Sequence, residues 1–153
     1  EVRVIEEKLR GLRSESGCKY LGVVEAAEVI KLFCYRKLPI SVMATALKMV
    51  ESIHIVTKLD HLMVAGLAAD VFKALGQPTI SKYQDTIGRV YSVIRDTPVS
   101  PGEFLMAYSA SRSWLIAGDL PPTTYFVTLR KSLESGKPVD SLMEQVAKTL
   151  ATG

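Results

Sequence analysis

Apolar residues recur along this chain at helical spacing, and turn residues interrupt them at short intervals. Val2, Ile5, Leu9 and Leu12 fall at i, i+3, i+7 and i+10, which is one face of a helix over residues 1–13. Arg3, Arg10 and Arg13 fall on another face, and Glu6 and Glu7 interrupt it. Gly11 weakens this helix by about 1 kcal/mol relative to alanine. A short helix of that kind needs a partner surface to bury its stripe.

Ser14-Glu15-Ser16-Gly17 reads as a break. A second helix is expected over 19–37, with Val23, Ala27, Ile30 and Cys34 as its apolar stripe. Arg36 and Lys37 suit the negative end of its dipole, and Pro39 then punctuates the chain. Residues 40–75 form the longest helical pattern, without proline and with Gly66 as the single glycine. Met43, Leu47, Val50 and His54 share one face; Leu59, Met63, Leu67, Val71 and Leu75 continue at steps of four. The run Ile53-His54-Ile55-Val56-Thr57 is the weak point, open to a kink, a short strand or a loop. Two helices with a bend near 56–60 are the favoured reading.

The C-terminal half is well punctuated. Gly76-Gln77-Pro78-Thr79 is a turn, and Ser81 with Gln84 matches a capping box for a helix to Arg95. Ser100-Pro101-Gly102-Glu103 is a stronger box, opening a helix that runs to Ala117 and stops at Gly118. Pro121-Pro122 opens another through Leu133, closed by Gly136, and Ser141 caps a last short helix to about Leu150. Tyr125-Phe126-Val127-Thr128 has strand propensity, but one short strand would leave the class unchanged. The expectation is an all-α chain: a compact helical bundle over 38–153 with an N-terminal helical arm over 1–37.

Composition adds limits. With 153 residues, 48% of them hydrophobic and 23% charged, the chain is one domain's length and folds without a metal or disulfide. The net charge of +3 excludes a disordered polycation. It also argues against nucleic-acid binding over the whole surface, while leaving room for a local basic face. No uninterrupted apolar run reaches the roughly 18 residues of a membrane span. Glu1, Glu6 and Glu7 stand where a secretory signal would be basic. Cys18 and Cys34, 16 apart, form no disulfide framework and no zinc spacing. Two reduced, partly buried thiols in a reducing compartment are expected.

Catalytic chemistry finds little support. His54 and His61 lie seven apart and lack further ligands for a metal. The chain holds no Gly-x-Ser-x-Gly elbow, phosphate-binding glycine loop or zinc pattern. The expectation is a non-enzyme with no catalytic residue, no metal, no cofactor and no small-molecule substrate. Tyr83, Tyr91, Trp114, Tyr125 and Phe126 read as core aromatics. The cations are more informative. Arg3, Lys8, Arg10, Arg13 and Lys19 lie in the N-terminal segment, and Lys82, Arg89 and Arg112 lie on later helices. Groups of this kind contact phosphates without reading sequence.

Residues 71–135 carry a further pattern. Val71-Phe72-Lys73-Ala74-Leu75 ends a helix, and Gly76 and Pro78 turn the chain. The next helix starts near Tyr83 and carries Gly88-Arg89-Val90. Ser111-Arg112-Ser113-Trp114-Leu115-Ile116-Ala117 pairs a cation with an aromatic and an apolar run, and Pro121-Pro122 opens a helix with Tyr125, Val127 and Leu129. In these features the chain resembles the capsid proteins of filamentous and rod-shaped viruses of hyperthermophilic archaea, over less than half its length. The resemblance implies a small all-helical virion protein, assembled in the host cytoplasm. Two copies, identical or paralogous, would wrap linear double-stranded DNA in A form within a helical filament. The phosphate contacts expected here are Arg3, Lys8, Arg10, Arg13, Lys19, Arg36, Lys37, Lys82, Arg89 and Arg112. Six glutamates in residues 1–37 oppose the arm's cations. Two other readings remain: a helical nucleic-acid-binding subunit of an RNA-guided defence complex, and a helical protein-interaction domain.

Overall fold

A computed structural model describes Glu7, Arg10, Gly11 and residues 20–152. Seven helices span residues 20–152, and there is no strand among the described residues. They are α1 (Val23–Tyr35), α2 (Ile40–Thr57), α3 (His61–Ala74), α4 (Ile80–Arg95), α5 (Pro101–Ile116), α6 (Pro122–Ser135) and α7 (Val139–Thr152). The expected all-α bundle is what the chain forms.

α3 is the centre. It packs against α1, α2, α4 and α5. Its sequence explains this: Ala65, Ala68 and Ala69 are small enough for neighbouring helices to approach, while Val64, Leu67, Val71 and Phe72 fill the space between them. A helix apolar on nearly every side has to be surrounded. α2 lies beside it, also in contact with α1 and α4. By length and composition α2 is apolar enough to cross a membrane, although Lys48 and Glu51 interrupt its run. Here Met43, Leu47, Val50 and Ile53 are spent in the bundle core. α6 joins α4, α5 and α7, and α7 is peripheral, with Met143 as its buried residue.

The break between α2 and α3 falls at Lys58–Asp60, as the pattern predicts. The β-branched run through Thr57 is helical and closes with the Lys58 amide on the His54 carbonyl, while the Asp60 side chain caps the start of α3 by accepting from the amides of Leu62 and Met63. Lys58 itself takes a left-handed conformation, φ 64°. Tyr125-Phe126-Val127-Thr128 is also helical, because Tyr125, Phe126, Thr128 and Leu129 reach the core at helical spacing.

Three local expectations are corrected. The buried face of α1 is Ala26, Val29, Ile30 and Phe33, whereas Val23 and Cys34 are exposed. The register rotates because Phe33, the largest apolar side chain of α1, is fully buried. Burying it outweighs the smaller side chains of the alternative face. The cap of α4 is Thr79, whose hydroxyl accepts from the Lys82 amide, and not Ser81. The last helix starts at Val139 and runs to Thr152, longer than the capping pattern implies.

The segment expected to be an arm is therefore divided. Its second helix, α1, belongs to the bundle through Val29 and Phe33. Glu7, Arg10 and Gly11 are helical and exposed; the stripe Val2, Ile5, Leu9 and Leu12 lies outside the described residues, as does Cys18.

Candidate nucleic-acid interface

Of the ten cations expected to meet phosphate, Arg3, Lys8, Arg13 and Lys19 lie outside the described residues. Arg10 is helical and exposed. Lys37, Lys82 and Arg89 are exposed and form no ion pair among the described residues. Lys82 and Arg89 stand two turns apart on the outer side of α4, with Asp85 between them. Arg36 and Arg112 differ from the rest: both converge on one carboxylate, Asp70.

Asp70 is 1% exposed at the middle of α3. Its Oδ2 accepts from Arg112 Nε at 2.7 Å and from the Tyr108 hydroxyl at 2.6 Å. Its Oδ1 accepts from Arg112 Nη2 at 2.9 Å and from Arg36 Nη2. Both oxygens are thus used by four hydrogen bonds from three side chains of two other elements. The local sequence explains how each donor arrives. Tyr108 and Arg112 are four apart on α5 and share one face. Arg36 closes α1 in a Schellman turn: the Leu38 amide donates to the Phe33 carbonyl at 2.9 Å, and the Lys37 amide donates to that of Cys34 at 3.0 Å. Lys37 holds the left-handed position at φ 62°, and Leu38 and Phe33 are both buried beneath it. Tyr108 is held in turn by stacked Phe104 and Phe126 rings and by the edge of Tyr125.

The electrostatics follow from this geometry. Burial pushes the Asp70 carboxyl up, but hydrogen bonds from Arg112, Tyr108 and Arg36 and the attraction of Arg112 outweigh it, so it stays ionised well into acid. Burial, and then the negative Asp70, push the Tyr108 hydroxyl far up, so it remains a donor. The bond to Asp70 raises Arg112 as well, against its partial burial. Tyr125 is raised chiefly by burial, and its hydroxyl pairs with Ser111 Oγ at 2.7 Å.

Sequence reasoning misses Asp70. Its signal is a single acid inside the apolar run Val64–Phe72, where an ionised group has to bring partners with it. Glu51 is a parallel case in α2. Its Oε2 accepts from the amides of Tyr20 and Leu21 at 2.8 and 3.0 Å, and Lys48 reaches Oε1 at 3.2 Å. Burial raises its carboxyl, the two backbone donors and Lys48 lower it, and the net direction is down. Glu51 thereby fixes where the chain enters α1.

The other expected chemistry is also placed. His54 and His61 come together across the α2–α3 turn, ring centroids 6.0 Å apart at 82°. His54 Nδ1 bonds the Leu59 carbonyl at 2.6 Å, and His61 Nε2 meets Glu28 Oε1 at 3.1 Å, tying α3 to α1. Among the described residues no group of three or more such side chains is arranged to hold a metal ion. Cys34 is free and exposed, not partly buried. Tyr83, Tyr125 and Phe126 are core residues, and Tyr91 and Trp114 pack against the core half-buried. The chain matches no protein-family model, no curated protein and no solved structure.

Proposed function

We propose that this chain is a structural, non-catalytic subunit that coats linear double-stranded DNA through phosphate contacts that read no sequence. The reading joins the resemblance of residues 71–135 to archaeal filamentous-virus capsid proteins with one observation. Exposed cations without an acidic partner among the described residues are spread over several elements: Lys37 after α1, Lys73 on α3, Lys82 and Arg89 on α4, and Lys131 on α6. A distributed set of this kind suits a polymer of charge better than one compact ligand. A repeating coat needs few contacts per subunit, because neighbours share the same duplex.

A coat subunit also needs neighbours. Tyr20, Val23 and Val24 expose apolar surface within five residues at the start of α1. That surface supports contact with a second subunit, identical or paralogous. It is equally what a protein-interaction domain would present, so the experiment has to separate the two.

The experiment mixes the full chain with linear duplex DNA, with single-stranded DNA and RNA as controls, followed by electron microscopy and nuclease digestion. Uniform filaments that protect the duplex alone are expected. Affinity should fall steeply with salt, about 0.9 in log–log slope per phosphate engaged. Preference for single strands would favour the defence-complex reading instead. No salt-dependent binding to any nucleic acid would leave the protein-interaction reading.

A further inference from the structure

We propose that Arg36 and Arg112, held side by side on Asp70, form a seat for one phosphate group. In taking that phosphate from a DNA backbone the proposal rests on the reading above, but the seat itself is defined by its own geometry. Arg36 Nη2 and Arg112 Nη2 share a single acceptor atom, Asp70 Oδ1, so the two guanidiniums are neighbours. One guanidinium suffices to neutralise a buried carboxylate. The second leaves the cluster at a net charge of +1 and sets two like charges against each other. An anion at the outer edge offsets that repulsion.

The donors are free to receive one. Arg112 uses two of its five N–H groups on Asp70, and Arg36 uses one of its five. Asp70 is 1% exposed, while the Arg36 and Arg112 side chains are 23% and 42% exposed. The carboxylate is therefore buried, while both arginine side chains that hold it keep solvent access. Forked guanidinium donors match the spacing of phosphate oxygens, which a lysine ammonium does not. Lys37 follows Arg36 in the chain and is exposed.

Preorganisation separates this seat from the scattered lysines. Arg36 is fixed at its backbone by the Schellman turn, and both guanidiniums are fixed at their tips by Asp70. Little side-chain freedom remains to be lost when a ligand arrives. Asp70 and Tyr108 act as positioning residues, without touching the phosphate.

The test uses the full chain and two probes. In the first, arginine Nε–H resonances are followed by NMR during titration with inorganic phosphate, against chloride at matched ionic strength. Saturable shifts of the Arg36 and Arg112 signals with phosphate only are expected. In the second, duplex DNA binding is measured against salt for the wild type, R36Q and K131Q. R36Q keeps the Arg112–Asp70 pair, so its fold is checked by circular dichroism. It should flatten the log–log salt slope by about 0.9 and reduce the phosphate response; K131Q should leave the phosphate response unchanged. Arginine signals that respond equally to phosphate and chloride would overturn the seat, and this arm depends on no variant folding. If the duplex binds but folded R36Q keeps the wild-type slope and phosphate response, the seat also falls while the coat reading stands. If phosphate saturates the site but no duplex binds, the seat stands with free phosphate compounds as its source, and the coat reading falls.

Discussion

Arg112 grips Asp70 through two parallel hydrogen bonds, Nε to Oδ2 at 2.7 Å and Nη2 to Oδ1 at 2.9 Å, across 42 residues of chain. With Arg36 this ties α1, α3 and α5 to one carboxylate. Removing the carboxylate strands two guanidiniums, whereas removing one guanidinium leaves the carboxylate paired. Asp70→Ala should therefore cost about 3 kcal/mol, the low end for a broken buried pair because the arginines keep some solvent. Arg36→Gln should cost about 1 kcal/mol. Urea denaturation of the two variants checks the ratio; equal losses would contradict the hub role of Asp70.

Asp70 and Glu51 both have carboxyls held below the ordinary range in the folded chain. A depressed native value means that the unfolded chain binds protons first. Their contribution is complete above the unfolded values near 3.9 and 4.3. It is lost as pH falls below about 4 towards the native values. Stability measured between neutral pH and strong acid should drop in that window. Glu51→Gln should show a lower stability at neutral pH and a shallower acid loss. A variant with the wild-type acid profile would remove Glu51 from the account.

Tyr108→Phe keeps the stacked ring and deletes one donor to Asp70. A hydrogen bond to a charged group is worth about 2 kcal/mol. The loss should appear in chemical denaturation, together with a smaller acid-labile component, since Asp70 then titrates closer to its unfolded value. An unchanged acid profile would mean that the hydroxyl contributes nothing to Asp70.

Lys58 ends α2 in the left-handed region, at φ 64°. A side chain there is strained, and glycine relieves the strain at some entropic cost in the unfolded chain. Lys58→Gly should stabilise the protein by about 0.5–1 kcal/mol, a rise of about 1–4 °C in Tm. Lys58→Ala should give no such gain. Thermal melts of the pair decide it.

Helices are local objects, and their signals were therefore legible. Ser100 before Pro101, Gly136 after α6 and the break at Lys58–Asp60 each depend on a few neighbouring residues and the groups a helix end leaves unpaired. Helix rotation was less legible. In α1 two apolar faces compete, and the choice went to the one that buries Phe33 in a surface built by α2 and α3.

By itself, the sequence determined the all-helical class, the approximate ends of most helices, and the mild basic charge. Spacing, caps and composition act at short range or over the whole chain, so they need no knowledge of packing. The tertiary structure decided which cations stand free and which are engaged. Arg36 and Arg112 look like Lys82 and Arg89 in sequence, but 34 and 42 residues separate them from Asp70. Only the packing of α1 and α5 on α3 brings those charges together. A charge's role depends on distance and burial, which the packed fold supplies.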